Sequence, residues 1–197
     1  MSLLKHVDFS KPSLYRSLAL IAFNPTAWNI VARNEYRNKT ITKIFGGNTK
    51  NGCYFLATSI FFAGMLRDNV FQKAIAEQPH VQLLPEPLNV IIPAVLVGLG
   101  QLFVVTSTWQ LGITGTFLGD YFGILMDHRV EGFPFNVLRD PMYVGSTMTF
   151  VGASLWYESP VGLLISLYIY TTYVIALWFE GPFTDMIYSN RETKKDL

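Results

Sequence analysis

The chain has 197 residues and a formal net charge of +1; half of its residues are apolar and only 15% are charged. Ordinary soluble domains carry roughly 25% charged residues, so this composition favours a protein that lies in lipid. The near-neutral charge, with no basic stripe and no RNP-type or zinc-finger motif, argues against nucleic acid as a partner. One cysteine and three scattered histidines exclude an intrachain disulfide and indicate no metal site.

Charged residues are absent from five stretches of the chain, each near the length that a helix needs to cross a bilayer. These stretches are residues 17–32, 51–66, 88–119, 141–157 and 159–179. The predicted fold class is therefore all-α, a polytopic membrane helix bundle with four to five hydrophobic segments. Residues 1–197 form one integral membrane domain in this prediction.

The first hydrophobic segment, residues 14–33, is interrupted at its middle by Asn24-Pro25. Because proline removes a backbone hydrogen bond, we expect either a broken span or a re-entrant helix pair there. The interruption and the lack of a small-x-small cleavage site argue against a removable signal peptide.

Four further membrane helices are predicted in chain order, followed by a cytosolic tail. The helices cover residues 51–70, 88–111, 141–157 and 161–179, and the tail covers 180–197. Lys and Arg are concentrated in the loop 33–50, in the loop after Asp120 and in the tail, whereas the loop 67–87 carries only Arg67 and Lys73. The positive-inside rule therefore places the loop 67–87 on the far side of the membrane.

The last two helices are separated only by Glu158-Ser159-Pro160, which predicts a tight antiparallel hairpin. Their cytosolic ends then lie side by side. The stretch RDPMYVG, residues 139–145, and Glu180 converge there, close to the loop 112–136. We expect Gly181-Pro182 to end the last helix.

Two interpretations are open for the polar residues at this boundary. Glu180 follows Trp178 and Phe179, so it is either the edge of an interfacial aromatic belt or the holder of a cationic or hydroxyl-bearing ligand. Tyr143 has the same two interpretations. Gly145, with the small residues after it, offers a face to a ligand or to another helix.

The segment LGITGTFLGDYFGILMD contains Gly115, Gly119 and Gly123 at intervals of four. In a helix they form one smooth stripe, whose usual role is close helix packing. Asp120 lies beside the stripe in uncharged surroundings, where a carboxylate is costly without a cationic partner. A ligand amine would supply that partner.

Four ordered blocks resemble the phosphatidylethanolamine N-methyltransferase family, most closely its short fungal members that act after the first methyl group is on. The blocks are FNPTAWNIVARNEY, LGITGTFLGDYFGILMDHRVEGFPFNV, DPMYVGST and EGPFTDMIY, between about Asn24 and Asn190. The resemblance implies an endoplasmic reticulum enzyme with a membrane phospholipid as its substrate. It would transfer methyl groups from S-adenosylmethionine to mono- and dimethylated phosphatidylethanolamine, giving phosphatidylcholine.

The resemblance also implies where the cofactor binds. The family's Gly-x-Gly motif corresponds to Gly98, Leu99 and Gly100, although the residues alone indicate a thinned helix at this point. The family's Glu-Glu pair corresponds to Glu180 and Gly181, so this chain lacks the second carboxylate and can offer only a backbone contact at Gly181. The ending KKDL resembles a dilysine retrieval signal, which must face the cytosol.

Methyl transfer from a sulfonium to an amine needs alignment of the two reactants and an unprotonated amine, but no nucleophilic residue. The hypothesis places the cofactor against Glu180 and Tyr143. Asp120 then binds or deprotonates the substrate ammonium, and Tyr121 forms an aromatic wall.

Two alternatives remain at this point: an enzyme of the isoprenylcysteine carboxyl methyltransferase type, which shares a Pro-x-Tyr-x-Gly helix start, and a non-enzymatic helical membrane protein. The sequence makes no prediction of oligomeric state.

Overall fold

The computed structural model describes residues 3–128 and 130–195, with side chains described for residues 5–128 and 130–190. All the regular structure in this part of the chain is helical, which confirms the all-α prediction. The helices are α1 (Pro12–Asn38), α2 (Thr40–Ile44), α3 (Thr49–Ala76), α4 (Leu88–Thr116), α5 (Pro141–Trp156) and α6 (Pro160–Lys195), with short 3-10 helices at Leu3–His6 and Gly119–Phe122.

Hydrogen bonds between distant residues define two ends of the bundle. At one end, Ser13 at the start of α1 donates to Glu77 after α3, at 2.6 Å. At the other end, Lys39 after α1 donates to the backbone oxygen of Tyr121, at 3.4 Å. We call the first the distal end (residues 3–14, 76–88 and 154–160) and the second the site end (residues 29–50, 112–128, 130–145 and 180–190).

Helices α5 and α6 are joined by the short connection 157–159. Ser154 Oγ lies 3.1 Å from Ser166 Oγ, and Ser146 Oγ lies 3.2 Å from the Tyr173 hydroxyl. The residue numbers of these contacts decrease along α5 as they increase along α6, so the two helices run antiparallel. The start of α5 and the second half of α6 consequently lie together at the site end.

Helix α1 is continuous across Pro25, so the expected break at this proline is wrong. Proline leaves the carbonyl one turn earlier without its helical donor, but neighbouring contacts hold the segment in place. Asn24 is buried and donates to the backbone oxygen of Ala63 in α3, at 3.2 Å, and Ile21 is only 2% exposed. Packing against α3 therefore keeps α1 helical at the proline.

Helix α6 does not end at Phe179 but continues through Gly181-Pro182, so the separate tail expected from residue 180 is wrong. Residues beyond the proline have packing partners: Phe183 contacts Tyr121, and Ile187 is 4% exposed. This burial maintains the helix past a residue pair that usually ends one. The retrieval-type ending falls on residues 194–197, outside the described side chains.

Small residues bring α4 and α5 into backbone contact. A Cβ atom added to Gly100 would lie 2.5 Å from the Gly145 carbonyl oxygen, and one added to Gly145 would lie 2.5 Å from the Gly100 oxygen. The small face at Gly145 is thus filled by α4. Gly98 points elsewhere, with no described atom within 4 Å of its Cβ position, because residues two apart on a helix face different directions.

The contact between α4 and α5 predicts different effects on stability for substitutions at two neighbouring glycines. Gly100→Ala should lower the free energy of unfolding by about 1 to 3 kcal/mol, because the α5 backbone must move away. Gly98→Ala should be neutral or slightly stabilising, since alanine favours a helix over glycine by up to about 1 kcal/mol. Thermal unfolding midpoints of the two purified variants in detergent test the contact, and equal midpoints would rule it out.

Gly115, Gly119 and Gly123 do not form the helical stripe that their spacing suggested, because α4 ends at Thr116. Gly112 has φ 64° and ψ 179°, which interrupts the helix, and Gly123 has φ 81°. Gly119 lies in the 3-10 helix, where an added Cβ would be 2.6 Å from the Thr114 oxygen. Glycine tolerates these conformations because it has no Cβ. The segment therefore folds into a compact turn at the site end.

Two helical segments in the described part of the chain are long and apolar enough to cross a membrane: Leu88–Phe122 and Pro160–Asn190. Only 11% of the most apolar window of the first is buried within the protein, against 39% for the second. Helix α4 consequently presents most of its apolar surface outward.

Candidate active site

At the site end, the carboxylate of Glu180 is held by side chains from two other helices. The Tyr143 hydroxyl, in the first turn of α5, donates to Glu180 Oε2 at 2.6 Å. Asn29 Nδ2, in α1, donates to Glu180 Oε1 at 2.9 Å. An aromatic belt accounts for Trp178 and Phe179, which are 72% and 56% exposed, but it does not account for a carboxylate with two partners inside the protein.

Helix α1 contributes Asn29 and Arg33, which the sequence analysis did not identify as site residues. Arg33 Nη2 donates to the Phe179 backbone oxygen at 2.6 Å, and its guanidinium lies 4.7 Å from the centre of the Phe183 ring. The two residues are four apart, so they share one face of α1. The signal available in the sequence was the helical spacing of these two polar residues at the end of the apolar stretch 17–32.

Two of the buried polar atoms without a hydrogen-bond partner in the described part of the chain lie on the face of α1 that contacts Phe179 and Glu180: Asn29 Oδ1, an acceptor, and Arg33 Nε, a donor. Buried polar groups are nearly always paired, so a site with both kinds of free atom is suited to a polar ligand. Together with the Glu180 carboxylate, which Asn29 contacts, they offer two acceptors and one donor.

Asp120 contacts the same helix as Glu180. Its Oδ2 accepts a hydrogen bond from Thr184 Oγ1 at 3.2 Å. Thr184 lies four residues after Glu180 in α6, so the two carboxylates meet neighbouring positions of one helix face. The structure therefore brings Asp120, Glu180 and Tyr143 to the same end of the bundle.

Tyr121 is not available as an aromatic wall. Its side chain is fully buried, with its ring stacked on Phe183 at 5.2 Å between centroids and 6° between planes. The 3-10 turn points the ring into a cluster with Ala32 and Ile187. Tyr121 is thus a core residue that fixes the turn on which Asp120 lies.

The glycines proposed to bind cofactor fall into two groups. Gly100 and Gly145 are occupied by the contact between α4 and α5. Gly98 and Gly181 have no described atom within 4 Å of their Cβ positions, and Leu99 is 42% exposed. Open space beside Gly181, next to Glu180, leaves its backbone accessible to a ligand.

Comparison with known proteins identifies the family. Residues 88–191 match the family model described as phospholipid methyltransferase. The phosphatidyl-N-methylethanolamine N-methyltransferase of Neurospora crassa is 53% identical over 193 residues, covering 98% of this chain and 90% of the relative. The chain belongs to the phospholipid methyltransferase family.

Other phospholipid methyltransferases match over similar lengths. The Saccharomyces cerevisiae phosphatidyl-N-methylethanolamine N-methyltransferase is 49% identical over 98% of this chain and 93% of the relative. The human phosphatidylethanolamine N-methyltransferase is 41% identical over 96% of this chain and 94% of the relative. No solved structure matches the chain.

Family membership confirms the resemblance seen in the four sequence blocks and identifies the protein as a methyltransferase. It rules out the non-enzymatic alternative. As a phospholipid methyltransferase, the protein requires a methyl donor and a lipid acceptor.

Proposed function

We propose that the protein methylates phosphatidyl-N-methylethanolamine and phosphatidyl-N,N-dimethylethanolamine to phosphatidylcholine, with S-adenosylmethionine as the methyl donor. The observation that carries the proposal is the Glu180 carboxylate, fixed by Tyr143 and Asn29 beside free polar atoms. Relatives named for the monomethylated lipid, such as the Neurospora crassa protein, support the choice of substrate.

The polar atoms at the site end suit this donor. Glu180 and Asn29 Oδ1 accept hydrogen bonds, as its hydroxyl and amino groups require, and Arg33 Nε donates, as its carboxylate requires. When bound, S-adenosylmethionine supplies a methyl group that its sulfonium has already activated. Glu180 and the α1 residues then have to hold the donor in one orientation.

The protein's contribution to the rate is orientation of the reactants and control of one proton. Well-oriented reactants lower a barrier by about 7 to 11 kcal/mol, so no covalent intermediate is needed. The substrate amine must lose its proton before it attacks, and we propose Asp120 as the acceptor. Its hydrogen bond from Thr184 holds the carboxylate on the α6 face that carries Glu180.

We further propose that the long helices form an integral membrane bundle of four to five crossings in which α5 and α6 are a tight hairpin. Lys and Arg are concentrated in residues 33–50, which supports a cytosolic site end. The ending with Lys194 and Lys195 supports retrieval to the endoplasmic reticulum, with a cytosolic carboxyl terminus. The acyl chains of the substrate then stay in the bilayer while its headgroup reaches the site.

The function is tested by offering radiolabelled S-adenosylmethionine and three lipids, with zero, one and two N-methyl groups, to the purified protein in detergent-lipid micelles. We expect label in phosphatidylcholine from both methylated lipids. Farnesylcysteine is offered in parallel as an acceptor. Methylation of farnesylcysteine without methylation of lipid would favour the carboxyl methyltransferase alternative and reject the proposal.

Asn29→Ala is expected to weaken binding of S-adenosylmethionine about twofold to tenfold, because it removes one hydrogen bond to Glu180 and one free acceptor. Asn34→Ala is the matched control, since Asn34 is exposed in the same helix and bonds only to Thr40 and Asn38 among the described residues. Equilibrium binding of the labelled donor distinguishes them. Equal affinities of the two variants for the donor would show that Asn29 of α1 does not contribute to the cofactor site.

A further inference from the structure

A cleft of about 220 Å³ opens beside Tyr143, between the start of α5 and the middle of α6. Three tyrosines line it, Tyr143, Tyr170 and Tyr173, together with aliphatic residues from both helices. Arg139 and Asp140, just before α5, also line it, and both are at least partly exposed to solvent. The cleft therefore combines aromatic walls with adjacent positive and negative charges.

Two of the three rings are fixed by hydrogen bonds. Arg67 Nη1 donates to the Tyr173 hydroxyl at 2.7 Å, and Ser146 Oγ lies 3.2 Å from the same hydroxyl. The Tyr143 and Tyr173 rings are 4.9 Å apart at 60°, and the Tyr143 hydroxyl is bonded to Glu180. These two rings form a preorganised corner of the cleft.

Tyr170 lies one turn before Tyr173 on α6 and is 51% exposed. Its hydroxyl has no hydrogen-bond partner among the contacts described. At this position it forms the outer wall of the cleft, where a ligand would enter from the side of the bundle. Its ring is the part of the cleft that can be changed with least effect on helix packing.

The chemistry of the lining selects a particular kind of ligand. Aromatic faces attract ammonium groups, including methylated ones that have lost their hydrogen-bond donors. Asp140 supplies negative charge next to the rings, because it lines the cleft beside Tyr143. Arg139 at the adjacent position supplies a donor set suited to a phosphate. A ligand with a methylated ammonium near a phosphate uses all three features.

We propose that this cleft binds the zwitterionic headgroup of the phospholipid substrate. Tyr143, Tyr170 and Tyr173 surround its methylated ammonium. Asp140 balances the charge of the protonated amine on binding, before Asp120 accepts the proton, and Arg139 binds the phosphate. The inference rests on the proposed function and deepens it, because Tyr143 is then shared: its hydroxyl orients Glu180 for the donor, and its ring faces the acceptor.

The cleft also predicts how affinity changes with the number of methyl groups on the lipid. Each added methyl group removes a hydrogen-bond donor from the ammonium but keeps the positive charge that the rings attract. Affinity that depends on the rings should therefore be retained from the monomethylated to the dimethylated lipid. Affinity that depends on Arg139 should be the same for all three lipids, because the phosphate does not change.

Tyr170→Leu tests the aromatic wall. It should raise the KM for the dimethylated lipid about threefold to tenfold, the range expected for loss of one cation–aromatic contact, and leave the KM for S-adenosylmethionine unchanged. Tyr170→Trp should restore the lipid KM. Tyr168→Leu is the control, because Tyr168 is a neighbouring partly exposed tyrosine of α6 that does not line the cleft. An unchanged lipid KM in Tyr170→Leu, or an equal rise in Tyr168→Leu, would overturn the proposal.

Arg139→Gln tests the phosphate contact. Its lipid KM should rise by a similar factor for the monomethylated and dimethylated substrates, again with the donor KM unchanged. A rise confined to one methylation state would contradict the assignment of Arg139 to the phosphate.

A binding measurement separates failure of the cleft from failure of the proposed function. Dodecylphosphocholine is added to the protein in maltoside micelles without a methyl donor, and saturation transfer from protein to its N-methyl protons is recorded by NMR. Wild type and Tyr168→Leu should show transfer, and Tyr170→Leu should lose most of it. If the wild type shows saturation transfer but methylates no lipid, headgroup binding in the cleft is supported and the proposed activity is rejected. Equal transfer in Tyr170→Leu would reject the cleft, whatever the activity.

Discussion

Glu180→Gln is expected to weaken binding of S-adenosylmethionine about 10- to 100-fold, because hydrogen bonds to a charged group contribute about 1.5 to 3 kcal/mol. The glutamine keeps the shape of the side chain but replaces one acceptor oxygen by an amide NH₂ group. That group would face either the Tyr143 hydroxyl or the Asn29 amide, which both donate to Glu180 in the native protein. Equilibrium binding of labelled donor measures the loss.

Glu131→Gln is the matched control for this substitution, since Glu131 is an exposed residue of the connection before α5. Its affinity for the donor should equal that of wild type. If Glu180→Gln binds the donor as tightly as Glu131→Gln does, Glu180 has no part in the cofactor site.

Asp120→Asn is expected to reduce turnover about 100-fold or more at pH 7, the usual contribution of a positioned proton acceptor. The defect should shrink as the pH is raised to about 9, because a larger fraction of the lipid amine is then already unprotonated. Binding of S-adenosylmethionine should change little. A pH series of turnover numbers with saturating donor and lipid provides the measurement.

The control for Asp120→Asn is Asp185→Asn, which changes an exposed carboxylate next to Thr184 on α6. It should keep both turnover and pH profile. If Asp120→Asn keeps wild-type turnover across the whole pH range, Asp120 is not the proton acceptor.

Much of the helical architecture follows from the charge-free stretches, because a helix in lipid satisfies its own backbone. The departures occur where tertiary packing overrides a local signal. Pro25 does not break α1, since Asn24 and Ile21 pack against α3. Pro182 does not end α6, since Phe183 and the residues after it are packed against the turn at Tyr121. Local propensity contains no information about those partners.

In the candidate site, too, the sequence predicts the placement of some residues and not of others. Tyr143 and Glu180 could be placed together because a three-residue connection leaves few arrangements for two helices. Asn29 could not, since its position relative to α6 depends on how α1 crosses the bundle. Arg67 falls within the predicted helix 51–70 and was also counted with the loop 67–87; in the structure α3 extends to Ala76, and Arg67 bonds to Tyr173 within the bundle.

The most direct test of the central claim is the location of the bound donor. The protein in detergent-lipid micelles is irradiated with methyl-labelled S-adenosylmethionine, and the labelled peptides are mapped with and without excess S-adenosylhomocysteine. We expect competable label in peptides that contain Asn29 and Arg33, Tyr143, or Glu180. Competable label confined to the distal end, in residues 76–88 or 154–160, would contradict the account.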